Sequence, residues 1–75
     1  MLKEIREKSG LSQSQLSKAT GISLRTLQMY EQGYRNIAHA RIDVMLKLCI
    51  TLNCDIEDLL DDEFKSLYEQ YIGEH

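Results

Sequence analysis

The chain has 75 residues, with 9 basic and 12 acidic side chains and a formal net charge of −3. A chain of this length buries only roughly 60% of its unfolded surface, so we expect one domain and exclude a deep enzyme cleft. No apolar run approaches the ~18 residues of a membrane span, and the N-terminal segment MLKEIREKSG is charged rather than signal-like. We therefore expect a cytoplasmic protein with no membrane contact.

The charges are divided unevenly along the chain. Residues 1–41 carry seven basic and three acidic side chains, a balance of +4, whereas residues 42–75 carry two basic and nine acidic ones, a balance of −7. Because the local field governs approach to a polyanion, the basic half is compatible with nucleic-acid binding. Alternatively, the acidic side chains only solvate the later helices, and the two interpretations do not exclude each other.

The first element is predicted to be a helix over about residues 2–8, which ends before Gly10, a residue suited to a left-handed helix stop. Ser12 begins the second helix. The spacing Ser12-x-x-Gln15 matches a capping box, in which each side chain binds the other residue's backbone N–H.

Residues 13–32, QSQLSKATGISLRTLQMYEQ, indicate two short amphipathic helices joined by a tight turn at Gly21. Ser23 is placed to cap the second of them, which runs to about residue 32 and stops at Gly33. Apolar or small side chains recur at positions that give each helix a buried face: Leu16, Ala19, Ile22, Leu27 and Tyr30. The turn leaves the second helix outside, where it can lie in a DNA major groove. The segment predicts a helix-turn-helix.

The elements after residue 33 are also predicted to be helices. A loop over residues 34–38 precedes a long helix from about 40 to 52, and Asn53 can take the left-handed stop. Its predicted core face consists of Ile42, Met45, Leu46, Cys49 and Leu52, with Val44, Leu48 and Ile50 as further apolar residues beyond that face. Asp55 caps a short helix that contains Ile56, Leu59 and Leu60. No proline and no alternating strand pattern is present, so the fold class is all-α.

The segment LKEIREKSGLSQSQLSKATGISLRTLQMYEQG, followed by LKLCITLNCDIEDLL, resembles the Cro/C1-type helix-turn-helix family of Xre-like and phage-repressor-like regulators. The resemblance covers about residues 1–60. It implies a five-helix, lambda-repressor-like DNA-binding domain that usually binds operator DNA as a dimer. Residues 61–75 then form an additional C-terminal amphipathic helix.

The family's functional positions map onto particular residues of this chain. Ser12 and Gln13 fall where the second helix meets the phosphate backbone, whereas Arg35 and Asn36 fall in a loop that commonly touches the adjacent backbone. The complete set of candidate DNA-binding residues is Ser12, Gln13, Ser23, Leu24, Arg25, Thr26, Gln28, Met29, Arg35 and Asn36.

The resemblance also has a structural part. Arg6 and Glu31 match a pair that tends to form an ion pair between the first and third helices. The chain departs from the family at Ser17, where alanine is frequent, and at Tyr34, which replaces a common lysine or arginine. Serine is still small enough for close helix packing.

The outward residues of the third helix differ in chemistry. The planar fork of Arg25 suits two acceptors on guanine, whereas Gln28 suits adenine or a phosphate. Leu24 and Met29 suit either a thymine methyl group or an apolar patch for a protein partner. Thr26 suits either a phosphate or the backbone of its own helix.

The tail beyond residue 60 carries an apolar stripe at helical spacing: Phe64, Leu67, Tyr68, Tyr71 and Ile72. Because the resembled domain ends near Leu60, this stripe needs another surface to cover it. One alternative is docking on its own domain. The other, which we favour, is participation in a homodimer, since an exposed stripe with aromatic residues would be sticky in a monomer.

No catalytic constellation, cofactor site or metal site is recognised in the sequence. Cys49 and Cys54 are too few and too close for a disulfide framework and lack the paired spacing of a zinc site, so we expect buried free thiols. His39 and His75 are single histidines, which we expect to be exposed to solvent.

The favoured function is a sequence-specific transcriptional regulator, a repressor, that occupies operator DNA through the third helix. The alternative is an antitoxin-like interaction module that neutralises a protein partner through the acidic tail and autoregulates its own operon. The expected partners are double-stranded DNA, a second copy of the chain in a homodimer, and a protein bound through the C-terminal helix.

Overall fold

The computed structural model describes residues 2–74, and within that range the chain is helical and contains no strand. The α-helices are α1 (Leu2–Lys8), α2 (Gln13–Thr20), α3 (Leu24–Gln32), α4 (Ile42–Leu52), α5 (Ile56–Leu59) and α6 (Asp62–Glu74). A single 3-10 turn, Ile37–His39, lies between α3 and α4. The predicted all-α class is confirmed. None of the helices described between residues 2 and 74 is long and apolar enough to cross a membrane.

The predicted helix ends are formed by local capping contacts. The Ser12 hydroxyl accepts a hydrogen bond from the Gln15 backbone N–H at 3.1 Å, and the Gln15 side-chain oxygen accepts one from the Ser12 N–H at 2.8 Å. This is the reciprocal capping box that the sequence predicts. Asn53 ends α4 at φ +51°, which an asparagine tolerates better than most residues.

Helix α4 begins later than its predicted start near residue 40. The 3-10 turn occupies residues 37–39 instead, and the Asn36 side chain caps it by accepting a hydrogen bond from the Ala38 N–H at 2.9 Å. An asparagine side chain can replace the helical hydrogen-bond partner of a nearby backbone N–H. This local hydrogen bond stabilises the 3-10 turn, and α4 begins only at Ile42.

The core lies between the first five helices and consists almost entirely of aliphatic side chains. Its buried members are Leu2, Leu16, Ile22, Leu27, Ile37, Leu48, Leu52 and Leu59. Tyr30, predicted to be a core residue, packs partly buried against this cluster. The leucines at 16, 27, 48 and 59 are completely buried, so α2, α3, α4 and α5 each contribute one side chain to the centre.

The predicted buried face of α2 is wrong at Ala19, which is exposed. Thr20 is buried in its place, one turn after Leu16. Its hydroxyl donates to the Leu16 carbonyl at 2.8 Å and accepts from the Ile22 N–H at 3.2 Å. Because both hydrogen-bonding roles of the hydroxyl are satisfied, the core accommodates a polar residue at this position.

The predicted core face of α4 is also partly wrong. Leu48, assigned outside that face, is fully buried, whereas Ile42 and Leu46, assigned to it, are exposed. Helix α4 packs against α2 and α5, and its buried side chains are Met45, Leu48 and Leu52. Two apolar rows exist on this helix, and the positions of α2 and α5 select which one is covered.

Asp61 joins the start of helix α6 to the domain. One carboxylate oxygen of Asp61 accepts from the Phe64 N–H at 3.1 Å and the other accepts from the Asn36 side-chain amide at 3.0 Å. Phe64 meets the ring of His39 edge-on, with centroids 5.3 Å apart. His39 is exposed as predicted, whereas His75 lies outside the described residues. No residue of α6 is buried.

The two cysteines are free, as predicted, but each is only partly buried against the core. Desolvation raises the pKa of both thiols, that of Cys54 to about 12. Both thiols are therefore neutral at physiological pH and pack as small apolar groups, since the thiolate is the reactive form.

Candidate nucleic-acid interface

The turn between α2 and α3 fixes the direction of α3. Gly21 has φ +75°, and its N–H donates to the Ser17 carbonyl at 2.9 Å. The Ser17 hydroxyl reaches across the turn to the Ile22 carbonyl at 2.6 Å. The serine that stands at a frequent alanine position therefore closes the turn with an additional hydrogen bond, while buried Ile22 anchors the start of α3 to the core.

The N-terminus of α3 is capped by Ser23, as predicted. The Ser23 hydroxyl accepts from the Thr26 N–H at 3.1 Å and donates to the Thr26 hydroxyl at 2.7 Å. Thr26 therefore interacts locally through its own side chain, although its hydroxyl oxygen retains further hydrogen-bonding capacity. A capped helix N-terminus with exposed backbone N–H groups also favours a nearby phosphate.

One face of α3 is buried and the other is open. Leu27 is completely buried, and Tyr30 packs against the same cluster. Of the predicted reading residues, Arg25 is exposed and Gln28 and Met29 are half-buried on the other sides of the helix. Leu24 lies three residues before Leu27, at the edge of the buried face, and is 37% exposed. Gln32, which is not among the predicted residues, follows Gln28 by one turn and is exposed. The i,i+4 spacing already places Gln32 beside Gln28.

Behind this open face, α1 and α3 are joined by the predicted ion pair. The Arg6 guanidinium donates to both carboxylate oxygens of Glu31, through Nε at 2.7 Å and through Nη2 at 2.9 Å. Its Nη1 donates to the Leu11 carbonyl at 2.8 Å. The two side chains are only 11% and 3% exposed. A bidentate, largely buried pair of this geometry holds α3 rigidly against α1.

The Glu31 carboxylate also has a third donor. The side-chain amide of Gln13 donates to Glu31 Oε1 at 3.0 Å. Gln13 is a candidate phosphate contact, and it is positioned by Glu31 at the start of α2. The network therefore connects three helices, α1, α2 and α3, through one carboxylate.

Burial and pairing act on Glu31 in opposite directions. Desolvation alone would raise the pKa of its carboxyl, but the hydrogen bonds from Arg6 and Gln13 and the charge of Arg6 outweigh it, so the pKa lies below its ordinary value. The hydrogen bond to Glu31 is the main reason that the pKa of Arg6 is raised. Both groups are therefore charged at neutral pH.

The loop after α3 is tied to the helix end. Gly33 has φ +82°, and the backbone N–H groups of Tyr34 and Arg35 donate to the Met29 carbonyl at 2.9 and 3.2 Å. Arg35 is exposed, as a phosphate contact must be. Asn36 is differently placed, because its side chain is engaged with Ala38 and Asp61.

An open groove of about 570 Å³ runs between α3, this loop and the start of α4. Its lining residues include two tyrosines, Tyr30 and Tyr34, and two arginines, Arg35 and Arg41. Arg41 belongs to the basic half of the sequence but is not among the candidate residues predicted from it. Arg41 pairs with Asp43 at 3.2 Å, and since its side chain is 85% exposed this surface pair contributes little to stability.

The remaining candidates lie at exposed helix starts. Ser12 and Ser23 are exposed N-cap residues of α2 and α3. Two capped helices, joined by a glycine turn and with the polar face of the second left open, define a helix-turn-helix DNA-binding domain.

Comparison with known families agrees with this geometry. A family model described as helix-turn-helix matches residues 2–59, well over half of the chain. The chain therefore belongs to the Cro/C1-type helix-turn-helix family, whose members are DNA-binding regulators. The resemblance found in the sequence is confirmed, and so is a lambda-repressor-like fold with an extra C-terminal helix. Searches of curated proteins and of solved structures gave no match.

Proposed function

We propose that this protein is a sequence-specific transcriptional repressor that occupies operator DNA with α3 in the major groove. The observation that carries the proposal is the open polar face of a helix that is capped, buried on its other side and held by Arg6 and Glu31. A recognition surface needs such support, because side chains make favourable base contacts only when the surrounding residues hold them in the correct geometry.

The residues on this face divide the work of recognition. Arg25 donates two hydrogen bonds to guanine, and Gln28 makes the paired contact with adenine or binds a phosphate. Gln32 extends the same row by one turn. Leu24 and Met29 contact thymine methyl groups. Contacts of this kind select a sequence, whereas phosphate contacts determine register and orientation.

The phosphate contacts come from both ends of the helix-turn-helix. Ser12, Gln13, Ser23 and Thr26 lie at the starts of α2 and α3, where backbone N–H groups are available to phosphate oxygens. At the other end, the charge comes from Arg35 and Arg41 in the groove after α3. Asn36 contributes by holding the loop, through Asp61, rather than by a strong contact of its own.

The protein acts as a homodimer in this proposal. Two recognition helices must lie about 34 Å apart to enter successive major grooves on one side of the duplex. Helix α6 contains no buried residue and presents apolar side chains, so it supplies surface for a contact between copies. Bound at an operator, the dimer blocks polymerase without any chemical step.

The test compares variants at two arginines in binding titrations with cognate and scrambled duplexes. Arg25→Ala should weaken cognate binding by about 1–3 kcal/mol and relax preference at one base pair. Arg35→Ala should weaken binding to both duplexes alike and reduce the salt dependence. Unchanged cognate affinity in Arg25→Ala would show that the reading face is wrongly assigned.

Lysine variants provide matched controls. Arg25→Lys keeps the charge but loses the planar fork, so base preference should still fall. Arg35→Lys keeps the point charge that a phosphate requires and should bind nearly as well as the original chain. If both lysine variants behave alike, the two arginines do not divide the work as proposed.

A second candidate function, an antitoxin-like module, is favoured by one observation. Helix α6 carries an acidic first turn beside exposed apolar residues, which suits a protein partner. The two functions differ in whether α6 binds the protein encoded by a neighbouring gene: an antitoxin binds it, and the repressor does not require it. Binding of that product to α6, abolished by Leu67→Glu, would support the antitoxin.

A further inference from the structure

The described surface contains two rows of exposed apolar side chains on different helices. The α4 row consists of Ile42, Leu46 and Ile50, which are 61%, 45% and 80% exposed. The α6 row consists of Leu67, Tyr71 and Ile72, which are 56%, 58% and 53% exposed. Neither row belongs to the DNA-binding surface described above, and neither is buried by the chain's own core.

The geometry points to a two-fold homodimer in which α6 of each copy lies on the α4 row of the other copy. This inference rests on the proposed homodimer and identifies the surface that receives α6. In a two-fold arrangement, one contact between unlike rows is made twice, so a single mode of association covers all four rows.

The α6 row fits within the length of the α4 row. From Ile42 to Ile50 the helix rises about 12 Å, and from Leu67 to Ile72 it rises about 7.5 Å. The i,i+4 spacing of Ile42, Leu46 and Ile50 forms one straight ridge along α4, the kind of surface on which a second helix packs.

Charge also favours this pairing. Lys47 is exposed and lies three residues before Ile50 on α4. Asp43 lies one turn before Lys47 on the same edge, and its charge is offset by Arg41 at 3.2 Å. The α6 row is bordered by Glu63, one turn before Leu67, and by Glu74 near the end of the helix, and both are exposed. The charge of Lys47 on α4 therefore meets an acidic edge on α6, whereas α6 packed on α6 would bring acidic edges together.

The number of exposed side chains favours an interface that uses both rows. The six side chains of the two rows are 45–80% exposed, so a dimer that covers both rows removes twelve apolar side chains from water. Stable interfaces bury about 1,200–2,000 Å² in total, and one row alone supplies only half of these side chains.

The test measures self-association of the full chain by sedimentation at several concentrations, without DNA. Ile50→Glu in the α4 row and Leu67→Glu in the α6 row should each weaken the dimer by about tenfold or more. Ser66→Glu adds the same charge to α6 outside the row and should leave the dimer unchanged. Because all three positions are exposed, far-ultraviolet circular dichroism should show native helix content in each variant.

Two further measurements test whether the α4 row of one copy contacts the α6 row of the other copy. A mixture of Ile50→Glu and Leu67→Glu chains should associate more tightly than either variant alone, because the heterodimer retains one intact contact between an α6 row and an α4 row. Lys47→Glu should weaken the dimer, and adding Glu63→Lys to that variant should restore it.

Each other outcome overturns the inference. A dimer that tolerates Ile50→Glu but not Leu67→Glu would place α6 against α6, and the homodimer itself would stand. A full chain that stays monomeric at every concentration would refute both the homodimer and this arrangement. DNA recognition is decided separately, by the Arg25 and Arg35 titrations.

Discussion

Helices α3 and α6 are both exposed on one side, but the two are held very differently. Helix α3 is capped by Ser23, anchored by fully buried Leu27 and clamped to α1 through Arg6 and Glu31. Helix α6 is connected through the Asp61 carboxylate and through partly buried residues of its stripe. The open side of α3 is mostly polar, whereas α6 exposes an apolar row, Leu67, Tyr71 and Ile72, beside its charged side chains.

This difference teaches how to interpret an exposed helix face. A rigidly held helix with polar side chains outward is preorganised for a polar ligand such as DNA, since little ordering is needed on binding. A helix with few ties to its domain and with exposed apolar side chains interacts unfavourably with water. Such side chains are typical of a surface that binds another protein. The predictions below test each half of this comparison.

The largest expected effect comes from removing α6. Deletion of residues 62–75 should leave a folded helix-turn-helix domain that is monomeric and binds operator DNA roughly 10²–10⁴-fold more weakly, because the two reading helices are no longer linked. Sedimentation and DNA titration of the truncated chain measure both effects. A truncated chain that still dimerises would show that α6 only docks on its own domain.

The next effect concerns the clamp behind α3. Glu31→Ala leaves the Arg6 guanidinium buried without its carboxylate and should lower the free energy of unfolding by about 3 kcal/mol. For a domain of this size the melting temperature should fall by roughly 10–20 °C. Arg41→Ala, which breaks an exposed pair, is the control and should melt within a few degrees of the original chain.

The same carboxylate predicts a dependence of stability on pH. Because the folded-state pKa of Glu31 is lowered from its ordinary value of 4.5, its contribution is fully present above that pH. The contribution is lost as the pH falls through the folded-state pKa, when the carboxylate is protonated. Chemical denaturation between pH 7 and pH 3 should show a smaller acid loss in Glu31→Gln, and equal losses would place the acid sensitivity elsewhere.

The smallest effect concerns the cap of α3. Ser23→Ala removes the acceptor for the Thr26 N–H and should lower the free energy of unfolding by about 1 kcal/mol. Ser23→Gly, by the same measurement, should lose only a few tenths, because glycine leaves the helix end open to water. If alanine and glycine are equally harmless, the hydroxyl does not stabilise α3.

Prediction from the sequence succeeded where local chemistry decides the outcome. The capping box of Ser12 and Gln15 and the turn at Gly21 involve residues a few positions apart, so their spacing is sufficient information. The prediction failed at Ala19 and at Leu48. In both cases a helix offers two neighbouring faces of similar polarity, and spacing does not say which face meets the core.

In the candidate site, too, local features could be predicted from the sequence and long-range contacts could not. The outward positions of Arg25 and Gln28 could be predicted from helical spacing, and Gln32 follows from the same spacing although it was overlooked. The engagement of Gln13 with Glu31, and of Asn36 with Asp61, could not be predicted from residues alone. These contacts join residues 18 and 25 positions apart, which only the packing of the helices brings within hydrogen-bond distance.

By itself, the sequence determined the helical class, the capped ends of α2 and α3 and the family to which the chain belongs, because caps, turns and apolar periodicity are local properties of the chain. The tertiary structure alone decided which apolar row of α4 enters the core and which stays outside with the α6 row. The physical reason is that burial depends on neighbours from distant parts of the chain. Helix α4 offers two apolar rows, and the packing of α2 and α5 against it determines which row is buried.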